Sequence, residues 1–347
     1  MRAARLTAWR EPLEIVDVPD PEAPKGGVVL KVLACGVCRS DWHAWVGADP
    51  DVALPHTPGH EFCGEVIGVG QGTTRWQIGD RVIAPFILAC GACPDCAAGH
   101  QTICLDQAVP GFTIPGAFAE QIAVPFADAN LTALPTGISP ELAAGLGCRV
   151  TTAWHALTGR AALRPGEWLA VFGGGGVGIS ALLLGRALGA RVVVVDIVPE
   201  KLAYARALGA DAVVNAAQVD AASVVKEITG GGADLAIEAL GIAATTIGAL
   251  KSLRKLGRLV QVGMPAGDHA TMPIPMDVVY SGQLAIYGTR GMPSWCYPSL
   301  LSLIEGGHVD LNPLVTRRIA LSAVTSELAA FDKAAPPGVA VITDFSS

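Results

Sequence analysis

The chain has 347 residues, a length that predicts about two globular domains, and its 51% of hydrophobic residues can bury large cores. Charged residues make up only 16% of the sequence, and Asp plus Glu outnumber Lys plus Arg by 31 to 24, giving a formal net charge of −7 at pH 7. Because a negative surface repels phosphate backbones, this charge argues against nucleic acid as a partner.

The first 149 residues predict a mostly β region without an export signal. The apolar residues that a signal peptide would keep together are interrupted by Arg10, Glu11 and Glu14. Short strand-like segments, such as residues 28–34 and 81–85, alternate with turns rich in proline and glycine. We therefore expect a cytoplasmic protein.

From Trp168 onward the sequence predicts a parallel sheet with crossover helices. Short β-branched runs alternate with helix-like segments, one of which begins at Pro199 and ends before Gly209. The uncharged run at residues 168–185 contains four consecutive glycines, which favour a buried strand, turn and helix over a membrane span. These segments fit one doubly wound nucleotide-binding domain. Its six predicted strands are residues 168–172, 191–196, 212–215, 234–238, 258–263 and 284–288.

The end of the chain returns to the first region. It has one helical stretch, residues 297–305, and a final strand-like segment, residues 339–345, which we expect to join the sheet of the first region. The sequence therefore predicts an α/β protein of two domains. Residues 1–149 and 290–347 form the first domain, and residues 150–289 form the Rossmann domain.

A glycine-rich turn follows the first strand of the Rossmann domain and fits G-x-G-x-x-G at Gly173, Gly175 and Gly178. Such a turn lets the diphosphate of a dinucleotide approach the amides and positive dipole of a helix N-terminus. The next strand ends at Asp196, whose carboxylate can bind ribose hydroxyls and would repel the 2′-phosphate of NADP, so NAD is expected. A glycine-rich turn that binds another ligand, or none, is the alternative. The whole turn reads Gly173-Gly174-Gly175-Gly176-Val177-Gly178.

Four of the nine cysteines lie within 15 residues, at Cys90, Cys93, Cys96 and Cys104. Four thiolates close a tetrahedral zinc shell and leave no open position, which indicates a structural zinc. A nucleic-acid-binding ribbon would have basic neighbours, but the only charged side chain between the first and last cysteine is Asp95. Free or disulfide-bonded cysteines are the remaining alternative.

Three further segments combine residues that suit a catalytic metal site, although none is specific alone. They are Cys38-Arg39-Ser40-Asp41-Trp42-His43, Gly59-His60-Glu61 and Gly147-Cys148. Together with the four-cysteine loop, the glycine turn and the Gly-Ala-Phe-Ala-Glu sequence at residues 116–120, they resemble the zinc-dependent medium-chain alcohol dehydrogenases over essentially the whole chain. The resemblance implies a GroES-like, mostly β catalytic domain with a zinc-bearing lobe, beside the Rossmann doubly wound parallel sheet.

The resemblance implies two zinc ions per chain, one catalytic and one structural. Residues matching Cys38, His60 and Cys148 hold the catalytic zinc and leave its fourth position open. Two thiolates and a neutral imidazole cancel the charge of such an ion. The implied reaction is the NAD-linked interconversion of an alcohol with an aldehyde or ketone by direct hydride transfer.

Three other functions are kept as alternatives. Related zinc enzymes oxidise polyols or hydroxy acids, but polyol- and threonine-oxidising relatives usually carry an acid where this chain has Cys148. A zinc-independent NADPH reductase of the same superfamily conflicts with the metal ligands and with Asp196. A nucleotide-sensing or nucleic-acid-binding protein without turnover conflicts with the net negative charge.

The resemblance also assigns roles around the catalytic zinc. A proton relay runs from Ser40 through the nicotinamide ribose to His43 and solvent. Asp41 orients the ligand His60, and Glu61, next to that ligand, approaches the zinc during ligand exchange.

Further positions match cofactor contacts of the family. Arg39 matches a pyrophosphate contact, Thr152 a nicotinamide contact, and Lys201 a residue near the adenosine ribose. Backbone groups that meet the nicotinamide amide match Val262, Gly263 and Gly288.

Three tryptophans are candidates for the substrate pocket. Trp45 matches an aromatic residue that lines this pocket in microbial relatives, and Trp42 and Trp295 are weaker candidates. Simple packing in the protein is the alternative for all three.

Two residues depart from the family pattern. Many relatives carry Arg or Lys after the glycine matching Gly338, where it reaches the pyrophosphate, but this chain has Val339, so we expect weaker cofactor binding or faster product release. Arg149 stands where relatives have a small residue after the third ligand. Pointing inward, its charge would favour an anionic substrate; pointing outward, the orientation we favour, it would be a surface charge or subunit contact.

The expected partners follow from the same resemblance. They are a small-molecule alcohol, aldehyde or ketone and further copies of this chain, with no nucleic acid and no membrane. Relatives are commonly dimers or tetramers, so we expect a homo-oligomer in which the strand at residues 284–288 pairs across an interface.

Overall fold

The structure, a computed structural model, describes residues 1–333 and 336–346. Within these residues the chain forms a seven-stranded mixed sheet, a six-stranded parallel sheet and a two-stranded hairpin. No helix in this part of the chain is long and apolar enough to span a bilayer. The elements of the first 155 residues are β1 (Arg2–Arg5), β2 (Glu14–Asp17), β3 (Val28–Gly36), α1 (Arg39–Trp45), β4 (Glu61–Val69), β5 (Arg81–Ile83), α2 (Pro94–Ala97), β6 (Gln121–Val124), α3 (Ala127–Asn130), β7 (Thr132–Ala133), α4 (Pro140–Gly145) and α5 (Arg149–His155).

Strands and helices alternate from Trp168 to Gly288. They are β8 (Trp168–Phe172), α6 (Gly176–Ala187), β9 (Arg191–Asp196), α7 (Pro199–Ala207), β10 (Ala212–Asn215), α8 (Ala221–Thr229), β11 (Ala233–Glu238), α9 (Ala243–Ser252), β12 (Leu253–Gln261), α10 (Met276–Gly282) and β13 (Ala285–Gly288). All pairings in this sheet are parallel, and its order is β10-β9-β8-β11-β12-β13. The first strand therefore lies in the middle, which is the arrangement of a Rossmann fold and confirms the predicted fold class.

The largest difference from the predicted strands is at β12, which begins at Leu253 instead of residue 258. Leu253 is buried and pairs with Ala233 of β11, so an apolar contact extends the strand toward its N-terminus. The ladder is irregular at this point because Leu256 has a φ of +60°. Arg254 and Lys255 lie between these two leucines and interrupt the apolar run, so the sequence does not predict this extension.

The turn between β8 and α6 requires two of its glycines. Gly173 has a φ of +107°, a conformation that other residues rarely adopt. A side-chain carbon at Gly178 would collide with the carbonyl oxygen of Gly173. The N-terminus of α6 therefore opens directly at the carboxyl edge of the sheet, where nucleotides bind in this class of fold.

The end of the chain supplies α11 (Tyr297–Glu305), β14 (Val315–Ala320), α12 (Val324–Ala330) and β15 (Val339–Asp344). β15 lies between β14 and β3 in the mixed sheet, where Val341 pairs with Gly36, so the tail rejoins the first sheet as its sequence predicts. One apolar core joins residues of α4, α5 and α11 with residues of β8 and α6. The domain boundaries at residues 149 and 290 stay a prediction, since this core is continuous across them.

Three junctions between elements carry the predicted ligands of the catalytic zinc. Cys38 caps the N-terminus of α1, His60 directly precedes β4, and Cys148 caps α5. Gly36 of β3 pairs with Glu61 of β4, so the first two junctions lie side by side.

Candidate active site

Four buried side chains converge at these junctions. The Sγ atoms of Cys38 and Cys148, a ring nitrogen of His60 and a carboxylate oxygen of Glu61 all lie within 4.8 Å of one another. The structure therefore brings together the three predicted ligands of the catalytic zinc, and it places Glu61 beside them.

Asp41 in the first turn of α1 fixes the orientation of His60. Its Oδ1 accepts hydrogen bonds from Nδ1 of His60 at 2.8 Å and from the amide of Gly59 at 3.2 Å. Its Oδ2 accepts from the amide of Cys38 at 2.8 Å. A carboxylate in this position keeps the proton on Nδ1 and leaves the ring's lone pair at Nε2. The predicted role of Asp41 has a clear geometric basis.

The donor set of this cluster fits a zinc ion. Nε2 of His60 is buried and has no hydrogen-bond partner among the described residues, so its lone pair is available to a metal. Tetrahedral coordination with Zn–S distances of about 2.3 Å places two sulfurs about 3.8 Å apart, a spacing within the spread of the cluster. Thiolate and imidazole are also the ligands that zinc prefers.

Protonation of these groups depends on their neighbours. The hydrogen bond between the two thiols lowers the pKa of Cys38 and raises the pKa of Cys148. The charge of Arg149 also lowers the pKa of Cys38. Burial lowers the pKa of His60, but the charges and hydrogen bonds of Asp41 and Cys38 together raise it well above its usual value. Protons and a metal ion therefore compete for the same three atoms, and acid weakens metal binding.

Arg149 points into the site, so the favoured outward orientation is wrong. Its side chain is buried. Nε donates to Oε1 of Glu61 at 2.9 Å, and Nη2 donates to Oε2 of Glu61. Nη2 also donates to the carbonyl of Val37 at 2.9 Å. Burial raises the pKa of Glu61 to about 7, and the charge of Arg149 opposes this increase. Because Glu61 occupies Nε and Nη2, these two nitrogens are not free to bind an anionic substrate beside the metal ligands.

Two phenylalanines that the sequence analysis missed form a wall beside the ligands. The rings of Phe86 and Phe112 lie edge-on to the ring of His60, with centroids 5.9 and 5.3 Å away. They belong to an apolar cluster that includes both candidate cysteine ligands. Neither phenylalanine lies in a recognisable motif, and the one available signal is that Phe86 follows the buried strand β5. The aliphatic members of the cluster are Ala44, Val52, Ile87 and Val109.

Ser40 and His43 are three residues apart in α1 and therefore lie on the same face of this helix. Oγ of Ser40 is 3.9 Å from Sγ of Cys38, and Nδ1 of His43 is buried without a partner among the described residues. Burial and the charge of Arg39 lower the pKa of His43, so its imidazole is neutral at pH 7 and can accept a proton. The relay itself stays a prediction.

Arg39 and Trp42 join α1 to the end of α12. The guanidinium of Arg39 lies 3.9 Å from the centroid of the Trp42 ring and donates to the carbonyl of Phe331 at 2.6 Å. Nε1 of Trp42 donates to Asp332 at 2.9 Å. In this structure both side chains therefore hold the two helices together, and a pyrophosphate contact by Arg39 would require it to leave the Phe331 carbonyl.

Trp45 and Trp295 also have partners elsewhere. Trp45 is buried and its Nε1 donates to the carbonyl of Glu11 at 2.7 Å. Trp295 is 62% exposed and its Nε1 donates to the carbonyl of Gly99, in the four-cysteine loop, at 3.0 Å. These contacts are those expected from packing, the alternative that the sequence left open.

Asp196 lies at the end of β9 beside the glycine turn. Its Oδ2 accepts a hydrogen bond from the amide of Gly174 at 2.7 Å, and its Oδ1 accepts from the amides of Ile197 and Val198 at 2.8 and 3.0 Å. A side-chain carbon at Gly174 would lie 3.4 Å from Cβ of Lys201. The predicted ribose carboxylate and the predicted adenosine-side lysine therefore flank one turn.

The predicted nicotinamide contacts lie at strand ends of the parallel sheet. The amides of Val262 and Gly263 both donate to the carbonyl of Glu238 at 2.9 Å, and Gly288 ends β13. The buried carboxylate of Glu238 accepts further bonds from backbone amides of the following turn. Thr152 is buried in α5. Sequence reasoning missed Glu238, whose only signal is its position at a predicted strand end.

The four-cysteine loop forms a second cluster, in which all four Sγ atoms lie within 4.8 Å of one another. Sγ of Cys93 is 3.8 Å from Sγ of Cys104, close to the separation of about 3.8 Å that tetrahedral zinc requires. The amide of Cys93 donates to Sγ of Cys90, and the amide of Cys90 to Sγ of Cys104. All nine cysteines lie in the described residues and are free thiols, so the disulfide alternative does not hold.

Known proteins share both halves of this architecture. The family model described as "Alcohol dehydrogenase GroES-like domain" matches residues 24–136, and the one described as "Zinc-binding dehydrogenase" matches residues 176–306. The chain is 39% identical over 296 residues to an alcohol dehydrogenase of Geobacillus stearothermophilus, an alignment that covers 84% of this chain and 86% of that protein. The chain belongs to the zinc-dependent medium-chain alcohol dehydrogenase family. The predicted resemblance is thereby confirmed, and this enzyme is an oxidoreductase.

Other members of the family differ in their named activities. A solved structure described as an NAD-dependent alcohol dehydrogenase superposes with a TM-score of 0.89 at 30% identity and covers 99% of both chains. The sorbitol dehydrogenase of Bacillus subtilis is 32% identical over 327 residues, which are 92% of this chain and 90% of that protein. Relatives named for alcohols and for a polyol therefore both align with this dehydrogenase.

Proposed function

We propose that this enzyme is a zinc-dependent, NAD-linked alcohol dehydrogenase that interconverts an alcohol with an aldehyde or ketone. The observation that carries the proposal is the buried cluster of Cys38, His60 and Cys148, in which Nε2 of His60 lacks a partner among the described residues. Two thiolates and a neutral imidazole balance a divalent charge and leave a fourth position for substrate. Zinc bound there would lower the pKa of a substrate hydroxyl.

The protein's own groups orient the site and move the proton. Asp41 holds Nδ1 of His60, which keeps Nε2 directed at the cluster. Oγ of Ser40 would accept the substrate's hydroxyl proton while its own proton passes to the nicotinamide ribose, and the neutral imidazole of His43 would pass a proton from the ribose to solvent. The wall of Phe86 and Phe112 excludes water from the side next to His60.

NAD is the proposed cofactor and would supply the hydride acceptor. The amides at the N-terminus of α6 suit its diphosphate, and the carboxylate of Asp196 suits its adenosine ribose. Because a carboxylate at this position repels a 2′-phosphate, we expect discrimination against NADP. Backbone groups at Val262, Gly263 and Gly288 would then meet the nicotinamide amide.

Neutral alcohols are the proposed substrates. Phe86 and Phe112 give the site an apolar wall, and the charge of Arg149 is compensated by Glu61. A polyol is the second candidate, since a sorbitol dehydrogenase aligns over most of the chain. Cys148 in place of an acidic ligand argues against this candidate.

A second zinc in the four-cysteine loop, a cytoplasmic location and a homo-oligomer complete the proposal. Among the described strands, β13 pairs only with β12 and so forms one edge of the parallel sheet. Tyr280 and Ile286 near this edge are 85% and 43% exposed. An unpaired edge with exposed apolar side chains supports pairing with a second copy.

NADH formation by the purified enzyme tests the proposal. A panel of primary, secondary, aromatic, polyol and carboxylate-bearing alcohols is assayed with NAD and with NADP, with and without a chelator, and bound zinc is counted by mass spectrometry. We expect chelator-sensitive NADH formation with neutral alcohols, little activity with NADP and two zinc ions per chain. Preference for a polyol would select the second candidate. Inactivity of protein shown to hold two zinc ions would refute the proposed reaction.

A further inference from the structure

Arg149, the first residue of α5, links the metal cluster to the glycine turn. Only 4% of its surface is exposed, and two of its three guanidinium nitrogens are used inside the catalytic region. Nε and Nη2 bind both carboxylate oxygens of Glu61, and Nη2 also donates to the carbonyl of Val37. The side chain is therefore fixed in one orientation.

The third nitrogen, Nη1, has no hydrogen-bond acceptor among the described residues. It lies at the N-terminus of α6, because a side-chain carbon built on Gly176 would be only 3.0 Å from both Nη1 and Cδ of Arg149. Gly176 is the first residue of this 12-residue helix and belongs to the dinucleotide fingerprint. The absence of a side chain at Gly176 thus brings an N–H group of this largely buried side chain to the opening where a diphosphate would lie.

We propose that Arg149 binds the diphosphate of the nicotinamide cofactor through Nη1 while Nε and Nη2 hold Glu61. The inference rests on the proposed function, since it requires NAD at the N-terminus of α6. It makes Arg149 both a cofactor-binding residue and a rigid connection between cofactor and Glu61. Neither role was assigned to it from the sequence.

The position of Arg149 selects the phosphate on the nicotinamide side. Asp196, the proposed partner of the adenosine ribose, bonds to Gly174, whereas Arg149 lies next to Gly176 and to Glu61 of the metal cluster. The dinucleotide would therefore run from Asp196 toward the metal cluster and pass Arg149 with its second phosphate.

Two other positions that the family pattern links to the diphosphate provide no free cation in this structure. Val339, the residue expected to weaken cofactor binding, is buried in the core and carries no charge. Arg39 is engaged by the carbonyl of Phe331 and the ring of Trp42. Arg149 therefore supplies from α5 a guanidinium donor in place of the basic residue that position 339 lacks.

Calorimetric binding of ADP-ribose and AMP to the zinc-loaded enzyme tests the proposal. ADP-ribose carries both phosphates of NAD, whereas AMP carries only the one on the adenosine side. The comparison uses Glu61→Gln and the double variant Glu61→Gln/Arg149→Gln, because Arg149→Gln alone would leave a buried carboxylate without its partner. Thermal unfolding of each variant confirms that it is folded.

We expect Glu61→Gln to bind ADP-ribose at least as tightly as the wild-type enzyme, because the Arg149 guanidinium loses its carboxylate partner and keeps its charge. The double variant should bind it roughly 10- to 100-fold more weakly, as expected for loss of a hydrogen bond between charged groups, with the affinity for AMP unchanged. Its ADP-ribose affinity should also depend less on salt. Equal ADP-ribose affinities of the two variants, or equal losses for AMP and ADP-ribose, would overturn the inference and leave the proposed function standing. A wild-type enzyme that binds neither NAD nor ADP-ribose would overturn both.

Discussion

The two cysteine clusters of this enzyme are assembled in opposite ways. The four-cysteine loop takes all its thiols from 15 consecutive residues, and backbone amides of the same loop donate to its sulfurs. The catalytic cluster takes Cys38, His60 and Cys148 from three junctions that only the folded sheets bring together. The first cluster is thus a property of a loop, and the second is a property of the whole fold.

Their surroundings differ in the same way. Three of the four loop cysteines are only partly buried, and backbone hydrogen bonding lowers the pKa of Cys93 to about 7. In the catalytic cluster all four groups are buried. His60 donates a hydrogen bond to the carboxylate of Asp41, and Glu61 accepts hydrogen bonds from Arg149. A change in the loop should therefore alter stability, whereas a change in the catalytic cluster should alter chemistry. Four substitutions test this difference.

Cys38→Ser should have the largest effect on activity. It replaces a thiolate ligand with a neutral hydroxyl, so the enzyme should lose one zinc per chain. Turnover should fall by roughly 1,000-fold at least, because a Lewis acid supplies several kcal/mol to such a reaction. NAD binding, measured by calorimetry, should persist because the glycine turn is not altered.

Cys63→Ser is the matched control for this prediction. Cys63 is another buried cysteine, and its Sγ donates to the carbonyl of Pro140 at 3.2 Å, a bond that a hydroxyl can keep. This variant should retain both zinc ions and most activity. Normal turnover by Cys38→Ser would show that the metal is not held where we propose.

Asp41→Asn should have the second largest effect. The amide no longer imposes the charge that fixes Nδ1 of His60 as a donor, and it weakens the bonds to the amides of Cys38 and Gly59. We expect zinc affinity or kcat/KM to fall about 10- to 100-fold, as for other residues that orient a metal ligand. Competition with a coloured chelator measures the affinity.

Asp49→Asn serves as the comparison for Asp41→Asn. Asp49 also accepts a hydrogen bond from a backbone amide, that of Asp51 at 3.0 Å, but it lies outside the cluster. Equal zinc affinities of the two variants would mean that Asp41 merely supports the local fold of α1.

His43→Gln should reduce alcohol oxidation about tenfold, because water can replace part of a proton relay at its solvent end. Burial lowers the pKa of His43, so the neutral, proton-accepting form predominates at pH 7 and is lost only as the pH falls through that lowered value. The wild-type rate should therefore rise with pH below neutrality and then level off. The variant should lack this rise and should recover activity with added imidazole. An unchanged pH profile in the variant would exclude His43 from the relay.

Elements built from neighbouring residues could be predicted from the sequence, whereas the catalytic cluster, built from distant residues, could not be predicted from local patterns. The strands of the parallel sheet are buried on both faces, so their β-branched runs predict them directly, as for Val192 to Val195. The four-cysteine loop is equally predictable because its spacing alone defines the cluster. The catalytic ligands, by contrast, are recognisable only through resemblance, since no local pattern joins Cys38 to Cys148.

The contacts at the catalytic cluster that the sequence did not predict are long-range. Arg149 finds Glu61 at a distance of 88 positions in the chain, and a preference for surface exposure, which is usual for arginine, gave the wrong orientation. Phe86 and Phe112 reach His60 from separate loops. Such contacts depend on how distant segments pack in the folded chain, which neither periodicity nor motif spacing encodes.

Cys90→Ser should have the smallest effect on activity and act instead on stability. Loss of this ligand opens a 15-residue loop, and a crosslink across such a loop contributes about 3 kcal/mol, so Tm should fall by about 4 °C for a chain of 347 residues. The flanking chain stays anchored, because the side chain of Asn130 bonds to both the amide and the carbonyl of Ala89. Below the transition, kcat should remain within about twofold of the wild-type value, since the catalytic cluster lies on other elements.

Cys296→Ser, at a half-buried thiol outside both clusters, should leave Tm and zinc content unchanged and so separates loss of a ligand from loss of a thiol. A Cys90→Ser enzyme with normal Tm but much lower kcat would reverse the assignment, because it would make the loop part of the catalytic machinery. A parallel fall in Tm and in kcat at all temperatures would show that the two clusters unfold together. The proposed assignment requires that Cys90→Ser has a lower Tm and a normal kcat at temperatures below that Tm. This result would agree with a four-cysteine loop that contributes to stability and a catalytic site that depends on the whole fold.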